Sequence, residues 1–337
     1  MRKKQLMNYP IEWLLEPENP SVRYLTLKHL LDKPEDNIDV RNSKNEIMEK
    51  GIVPRILAKQ INNGCWGKPE DFYIKSKYRG TIWSFLILTE MGADKNDKRI
   101  KGTCEFLLNR AQHTRSGAFA YRSHPRGDID PPKTLPCLTG NVLWGLIRFG
   151  YLEDRRIQKG INWITKYLRF DDGKSQPPKI WPYSFDKCWG KHTCHMGIVK
   201  CLKALAEIPS KKRSPAARET INHGSEYLLK HHIFRRSHDI SQIGIPDWLE
   251  FGFPLMWNSD ILEVILILQK LGVGDSRMRE SLEIIHSKQD GNGKWLLEKT
   301  YNGRFLTRIE QKGKPSKWIT LRAMMVIKNN RNNQQFI

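Results

Sequence analysis

Gln60-Ile61-Asn62-Asn63-Gly64-Cys65-Trp66 and Gln289-Asp290-Gly291-Asn292-Gly293-Lys294-Trp295 share one pattern, Gln-x3-Gly-x-Trp, near the two ends of the chain. A looser copy runs through Gln112, Gly117 and Phe119. Self-similarity at such distances points to a chain built from repeated supersecondary units, and the search for the rest of the unit decides the fold.

A second pattern, Gly-x3–4-Asp-x-Arg-Ile/Met, supplies it. It occurs at Gly92-Asp97-Arg99-Ile100 and Gly150-Asp154-Arg156-Ile157, and in compressed form at Gly272-Asp275-Arg277-Met278. An apolar helical stretch precedes each copy (81–91, 142–149, 261–271) and another follows it (100–108, 157–168, 278–285). The glycine ends the first helix and the aspartate caps the second. The unit is therefore a helix, a Gly–Asp turn, an antiparallel helix, and a loop carrying an aromatic. Trp66, Phe119, Trp181, Trp248 and Trp295 mark five such loops, a period of roughly 57 residues. Two of the units are degenerate. One lacks the Gly–Asp turn and uses Pro209 to Pro215 before the helix 216–229.

These copies resemble the repeat of the squalene-hopene and oxidosqualene cyclases, whose superfamily includes the protein prenyltransferases. The resemblance covers residues from about 50 to 328 and implies an all-α fold, an α/α toroid with an inner ring of helices around a cavity and an outer ring enclosing it. Residues 1–50 then read as N-terminal helices packed on the toroid (51–328), and 329–337 as a disordered tail. The resemblance also implies a small apolar or isoprenoid substrate. Proton-initiated cyclisation would need an Asp-x-Asp-Asp motif. The nearest match, Asp128-Ile129-Asp130, lacks the second consecutive aspartate and reads as a capped turn.

Composition sets the outer bounds. The 337 residues carry a formal charge of +21 and eleven tryptophans. That charge favours anionic ligands, but the basic residues are spread along the chain, which speaks for a basic solvated surface and against a dedicated nucleic-acid face. Six cysteines without a signal peptide point to reduced thiols in the cytoplasm, and no apolar run is long enough to span a bilayer. Phosphate-loop, dinucleotide-fold and nucleophile-elbow motifs are missing.

On the toroid reading, the first turn after each aromatic loop faces the cavity mouth, and metal-competent residues gather there. Cys188, His192, Cys194 and His195 fall within eight residues, at the start of a helix whose dipole would favour a thiolate. Cys137-x2-Gly140 and Cys194-x2-Gly197 hold matching places in successive units. The set Cys137, Cys194, His195 is similar to the zinc site of the lanthipeptide cyclases, so zinc is the expected cofactor, with Cys188 and His192 as alternative ligands. Three ligands and an open position would make such an ion catalytic. Asp260 is the expected general base or fourth ligand. Arg79, Lys317 and Arg322 are expected to hold an anionic group, and Trp83, Trp257 and Trp318 to form an apolar or cation-stabilising wall. Two functional readings remain open: a zinc-dependent transferase or cyclase, and a non-catalytic module that binds a lipid, peptide or acidic partner.

Overall fold

Residues 10–61, 64–122, 134–183, 185–301 and 303–334 are described by the computed structural model. Beyond a short helical stretch at 10–14, they contain twelve α-helices: α1 (Pro20–His29), α2 (Ile38–Glu49), α3 (Ile52–Leu57), α4 (Thr81–Glu90), α5 (Lys98–Arg110), α6 (Pro136–Arg148), α7 (Arg155–Tyr167), α8 (His195–Ala206), α9 (Pro215–Lys230), α10 (Ile261–Lys270), α11 (Arg279–Ser287) and α12 (Lys317–Gln334). The only ladder among the described residues is the hairpin β1 (Arg235–Arg236) to β2 (Asp239–Ile243). The chain is all-α, as the helical spacing predicts.

The helices fall into two layers for a reason legible in their sequences. In α4 every residue from Thr81 to Thr89 is buried, and α6, α8 and α10 are nearly as apolar all round, which places them between other elements. By contrast, α7 buries only one stripe, Ile157, Gly160, Ile161, Trp163 and Ile164, so it covers the outside. Packing follows that division. Helix α4 lies against α6, α6 against α8, α8 against α10, α10 against α12, and α12 against α1. On their outer side α2 pairs with α1, α5 with α4, α7 with α6, α9 with α8, and α11 with α10. Thus α1 and α2 take the same relation to each other as the later pairs.

The three Gly–Asp–Arg segments adopt one conformation. Gly92, Gly150 and Gly272 have φ of +73°, +94° and +83°, the left-handed geometry that ends a helix. Two residues on from each aspartate, the arginine N–H donates to its Oδ1 at 2.7, 2.7 and 2.8 Å, and the guanidinium folds back on the same carboxylate.

The Gln–Gly–aromatic segments are equally alike. Gln60 Nε2 donates to the Arg99 carbonyl and Thr103 Oγ1, and Gln112 Nε2 to the carbonyls of Gly117 and Arg156. The backbone N–H groups of Trp66, Phe119 and Trp295 each donate to a threonine in the first turn of the next inner helix, Thr81, Thr139 and Thr320, at 3.0–3.1 Å. The indoles of Trp66 and Trp295 donate to the carbonyls of Ile56 and Ile285. In the degenerate third unit the corresponding N–H, bonded to Thr193, belongs to Asp171 and not to an aromatic.

Two expectations need adjustment. Helix α12 continues to Gln334, into the stretch 329–337 read as a disordered tail. Tertiary bonds anchor this end, with Asn329 Nδ2 donating to Gln269 Oε1 and Lys328 Nζ to the carbonyls of His29 and Leu30. The Cys-x2-Gly register also has a packing role. A Cβ at Gly140 would stand 2.4 Å from the Lys200 carbonyl carbon, and one at Gly197 3.1 Å from Pro136 Cγ, so the glycines let α6 and α8 touch.

The loop glycines divide by environment, which makes a test. Gly117 has φ +81° and its Cβ would lie 2.4 Å from the Lys159 carbonyl carbon, whereas Gly272 has φ +83° with nothing within 4 Å. Gly272→Ala is expected to cost about 1 kcal/mol of left-handed strain, and Gly117→Ala about 2–4 kcal/mol because backbone collision adds to it. Urea denaturation of both variants checks the difference.

Candidate functional site

Where the inner helices face one another the side chains are charged. Lys200 of α8 donates to Glu263 of α10 at 2.6 Å, and Lys203, one turn on, bridges Glu263 Oε1 at 3.0 Å and Glu90 of α4 at 2.8 Å. Arg322 of α12 reaches the other Glu90 oxygen at 2.7 Å, and Ser259 Oγ donates to Glu263 at 2.7 Å. The Lys200 side chain is 0% exposed. Burial alone would raise both carboxyls, but the cations outweigh it: Lys203 and Arg322 hold Glu90 down to about 2, and Lys200 and Lys203 keep Glu263 well below its usual range. Both glutamates are therefore anions at neutral pH, and four helices meet through them.

Toward the C-terminal ends of α4, α6, α8 and α10, and beside the N-terminal half of α12, the network opens into a cavity of about 170 Å³. The apolar part of its lining includes Leu25, Ile267, Leu321, Met325 and the rings of Trp144 and Trp318. At the rim Glu207 is shared by Lys270 at 2.7 Å, Arg148 at 3.6 Å and the Trp144 indole N–H at 3.1 Å. Arg148 and Lys270 are exposed, and the Arg148 guanidinium lies 5.7 Å from the Trp144 ring centre. The lining thus holds four cations (Arg148, Lys203, Lys270, Arg322) and three carboxylates (Glu90, Glu207, Glu263). Partial burial, together with Arg148 and Lys270, pushes the imidazole of His29 at this rim below its ordinary value. Arg148 also borders a second, larger groove of about 680 Å³, between the helices α1 and α2 on one side and the turn after α4 on the other.

The residues singled out at the N-terminal ends of the inner helices are arranged differently from expectation. His195 does not join Cys137 and Cys194. Its ring faces the outer helix, 4.5 Å from His231 and 5.1 Å from Tyr227, with Trp248 at 5.9 Å. Burial, then His231, pushes its pKa down to about 3, and its Nε2 is enclosed without a hydrogen-bond partner. His192 is exposed, with Nδ1 3.4 Å from Asp172 Oδ1. Asp172 also meets His231 at 3.3 Å and takes an ion pair from Lys230.

The thiols depart from expectation as well. Cys194 caps α8, and the N–H groups of Gly197 and Met196 do act to lower its pKa, but burial is the larger effect and the net shift is upward. Burial also pushes Cys137 up to about 12 and raises Cys188. Among the described residues, no three Cys, His, Asp or Glu side chains stand where they would hold a metal ion together. Asp128 and Asp130 lie outside the described residues.

Asp260 is the N-cap of α10. It accepts from the Glu263 N–H at 2.8 Å and the Gly252 N–H at 3.1 Å, and burial raises its pKa to about 6. Trp83 is buried, stacks on Tyr73 at 4.6 Å and donates to the Tyr73 carbonyl. Trp318 stacks on Phe253 at 4.3 Å and borders the cavity; Trp257 is half-buried beneath Lys77, 5.7 Å from its ring centre. Arg79 binds the carbonyls of Gly303 and Arg304, and Lys317 pairs with Glu16 at 2.7 Å. Of the three basic residues expected at a cavity, Arg322 alone lines the one of about 170 Å³.

Sequence reasoning passed over Glu90, Arg148, Lys200, Lys203 and Glu263. The signal was present. A lysine or glutamate inside a helix that is apolar on all sides has to find an opposite charge, since an unpaired one costs too much to bury. Lys200 and Lys203 in α8 and Glu263 in α10 meet that description.

Glu90→Gln leaves Lys203 and Arg322 short of a charge and is expected to cost about 3–5 kcal/mol at neutral pH. Because the folded pKa of Glu90 is depressed from 4.5 to about 2, its contribution is present above pH 4.5 and lost as pH falls through about 2. Urea denaturation at descending pH should therefore show a flatter acid dependence in the variant than in the parent.

No protein-family model matches the sequence, and no curated protein matches it. Solved structures similar to the chain include a protein from Actinoplanes, at TM-score 0.47 and 13% identity, covering 97% of this chain and 99% of that one. The apo type II terpene cyclase MstE from Scytonema is similar at TM-score 0.47 and 13% identity, covering 98% of each chain. An arginine variant of MstE in complex with its substrate, geranylgeranyl dihydroxybenzoate, is similar at TM-score 0.45 and 13% identity, covering 97% of this chain and 96% of that one.

Proposed function

We propose that the two helical layers are the inner and outer rings of an α/α toroid of the prenyltransferase and terpene cyclase type, with α1 and α2 as one further pair. The order in which α4, α6, α8, α10, α12 and α1 pack supports this reading, as does the meeting of four of those helices at one ionic centre. Within it, the protein binds a small amphipathic anion at the C-terminal rim. The anionic group sits at Arg148 and Lys270, and its short apolar part enters between Trp144, Leu321 and Met325.

The observation that carries the reading is the charge balance of the lining, four cations to three carboxylates, with the two rim cations exposed to solvent. Exposed cations beside a buried network give an anion a place to dock without first breaking the network. Arginine suits the task because its planar fork binds phosphate or carboxylate oxygens in pairs. Size limits the apolar part. About 170 Å³ is below the 300–1,000 Å³ of most small-molecule sites, so a short prenyl diphosphate or a short-chain acid fits and a triterpene does not.

Titration calorimetry with pyrophosphate, dimethylallyl diphosphate and hexanoate tests this directly. The parent is expected to bind at least one of them, and Arg148→Ala to weaken that binding roughly 10- to 100-fold, the worth of one charge-assisted hydrogen bond. A thermal melt verifies that the variant remains folded. Binding that ignores Arg148→Ala, or no binding of any of the three, would contradict the reading.

A further inference from the structure

The loop entering α8 holds a pair of cysteines that the cavity reading does not use. Trp189 and Thr193 form an antiparallel bridge, and the next pair outward is Cys188 and Cys194, joined by the Cys194 N–H donating to the Cys188 carbonyl at 3.3 Å. The Cys188 N–H itself donates to the Phe185 carbonyl, so the pair shares one bond and not two; directly opposed residues of an antiparallel ribbon have Cα atoms about 4.5–5.5 Å apart and side chains on the same face. Disulfides most often span about 5.5–6 Å between Cα atoms. Both thiols are free, Cys188 is 6% exposed and Cys194 partly exposed.

We propose that Cys188 and Cys194 are a dithiol that a small disulfide oxidant, such as oxidised glutathione, converts reversibly to an intramolecular disulfide. The partly exposed Cys194 attacks one sulfur of the oxidant and releases the first glutathione as its thiol. Cys188 then attacks Cys194 Sγ in the mixed disulfide and releases the second. The two cysteines lose two electrons and two protons, and the oxidant gains them as two glutathione thiols.

The bond closes the loop that carries Thr193, whose hydroxyl accepts from the Asp171 N–H at 3.0 Å and whose carbonyl accepts from Tyr227 at 3.1 Å. Oxidation thereby fastens the start of α8 to the preceding loop. Cys137 is in electrostatic reach of both Cys188 and Cys194, and Cys201 of Cys194, but they sit on α6 and inside α8, outside the ribbon.

Peptide mapping separates the pairings because Lys187, Lys191 and Lys200 bracket the two cysteines. The full chain is incubated with oxidised glutathione, its remaining thiols are alkylated, and it is digested with trypsin without reduction. The expected product is peptide 188–191 linked to peptide 192–200, with two of the six thiols protected from alkylation and both recovered after dithiothreitol. Cys188→Ser is expected to leave Cys194 as a stable glutathione adduct without the linked pair. Six alkylated cysteines after oxidation, or a link from Cys188 or Cys194 to a peptide holding Cys137 or Cys201, would overturn the proposal.

Discussion

The ionic contact of Lys200 with Glu263, extended by Lys203 to Glu90 and from there to Arg322, is the constraint on which the rest of the architecture depends. Burying such groups is costly, and a buried pair contributes little net stability compared with apolar residues of the same volume. What it does impose is geometry. Each charge is stranded unless its partner helix stands at the right height and rotation, so α4, α8, α10 and α12 are fixed relative to one another. The apolar faces of those helices supply the bulk of the stabilisation without discriminating among registers as sharply.

That arrangement alters the character of the centre. A ring of apolar helices around a hydrocarbon ligand would present aromatic and aliphatic side chains inward. Where α4, α8, α10 and α12 meet, the facing groups are instead carboxylates, amines and a guanidinium that satisfy each other, and the cavity beside them is small and amphipathic. Cations at C-termini also complement the helix dipoles, which accounts for Arg148 and Lys270 at the ends of α6 and α10 without any ligand. The case for an anion rests on their surplus over the carboxylates around them.

Most of the fold was legible in the sequence because it is written in local chemistry. Gly92, Gly150 and Gly272 require left-handed backbone, Asp97, Asp154 and Asp275 cap the next turn, and Gln60 and Gln112 bridge to neighbouring helices. The site was less legible, because proximity in sequence says little about where a side chain points. His195 follows Cys194 directly yet faces α9, since the first turn of a helix carries successive residues to different sides. Cys137 and Cys194 matched in register because Gly140 and Gly197 bring α6 and α8 together, a packing cause that resembles a ligand pattern. Asp260, a solitary acid before an apolar run, reads as a catalyst or as a cap, and its two backbone donors make it a cap.

A double-mutant cycle on Lys200 and Glu263 bears most directly on the claim that this network fixes the inner helices. Lys200→Met, Glu263→Gln and the double variant would be compared with the parent by denaturant unfolding. Each single change strands a buried charge. The double variant is therefore predicted to lose less stability than the sum of the singles, by at least about 1 kcal/mol. Losses that add to within about 0.5 kcal/mol would contradict the account, because residues in a coupled buried network do not behave independently.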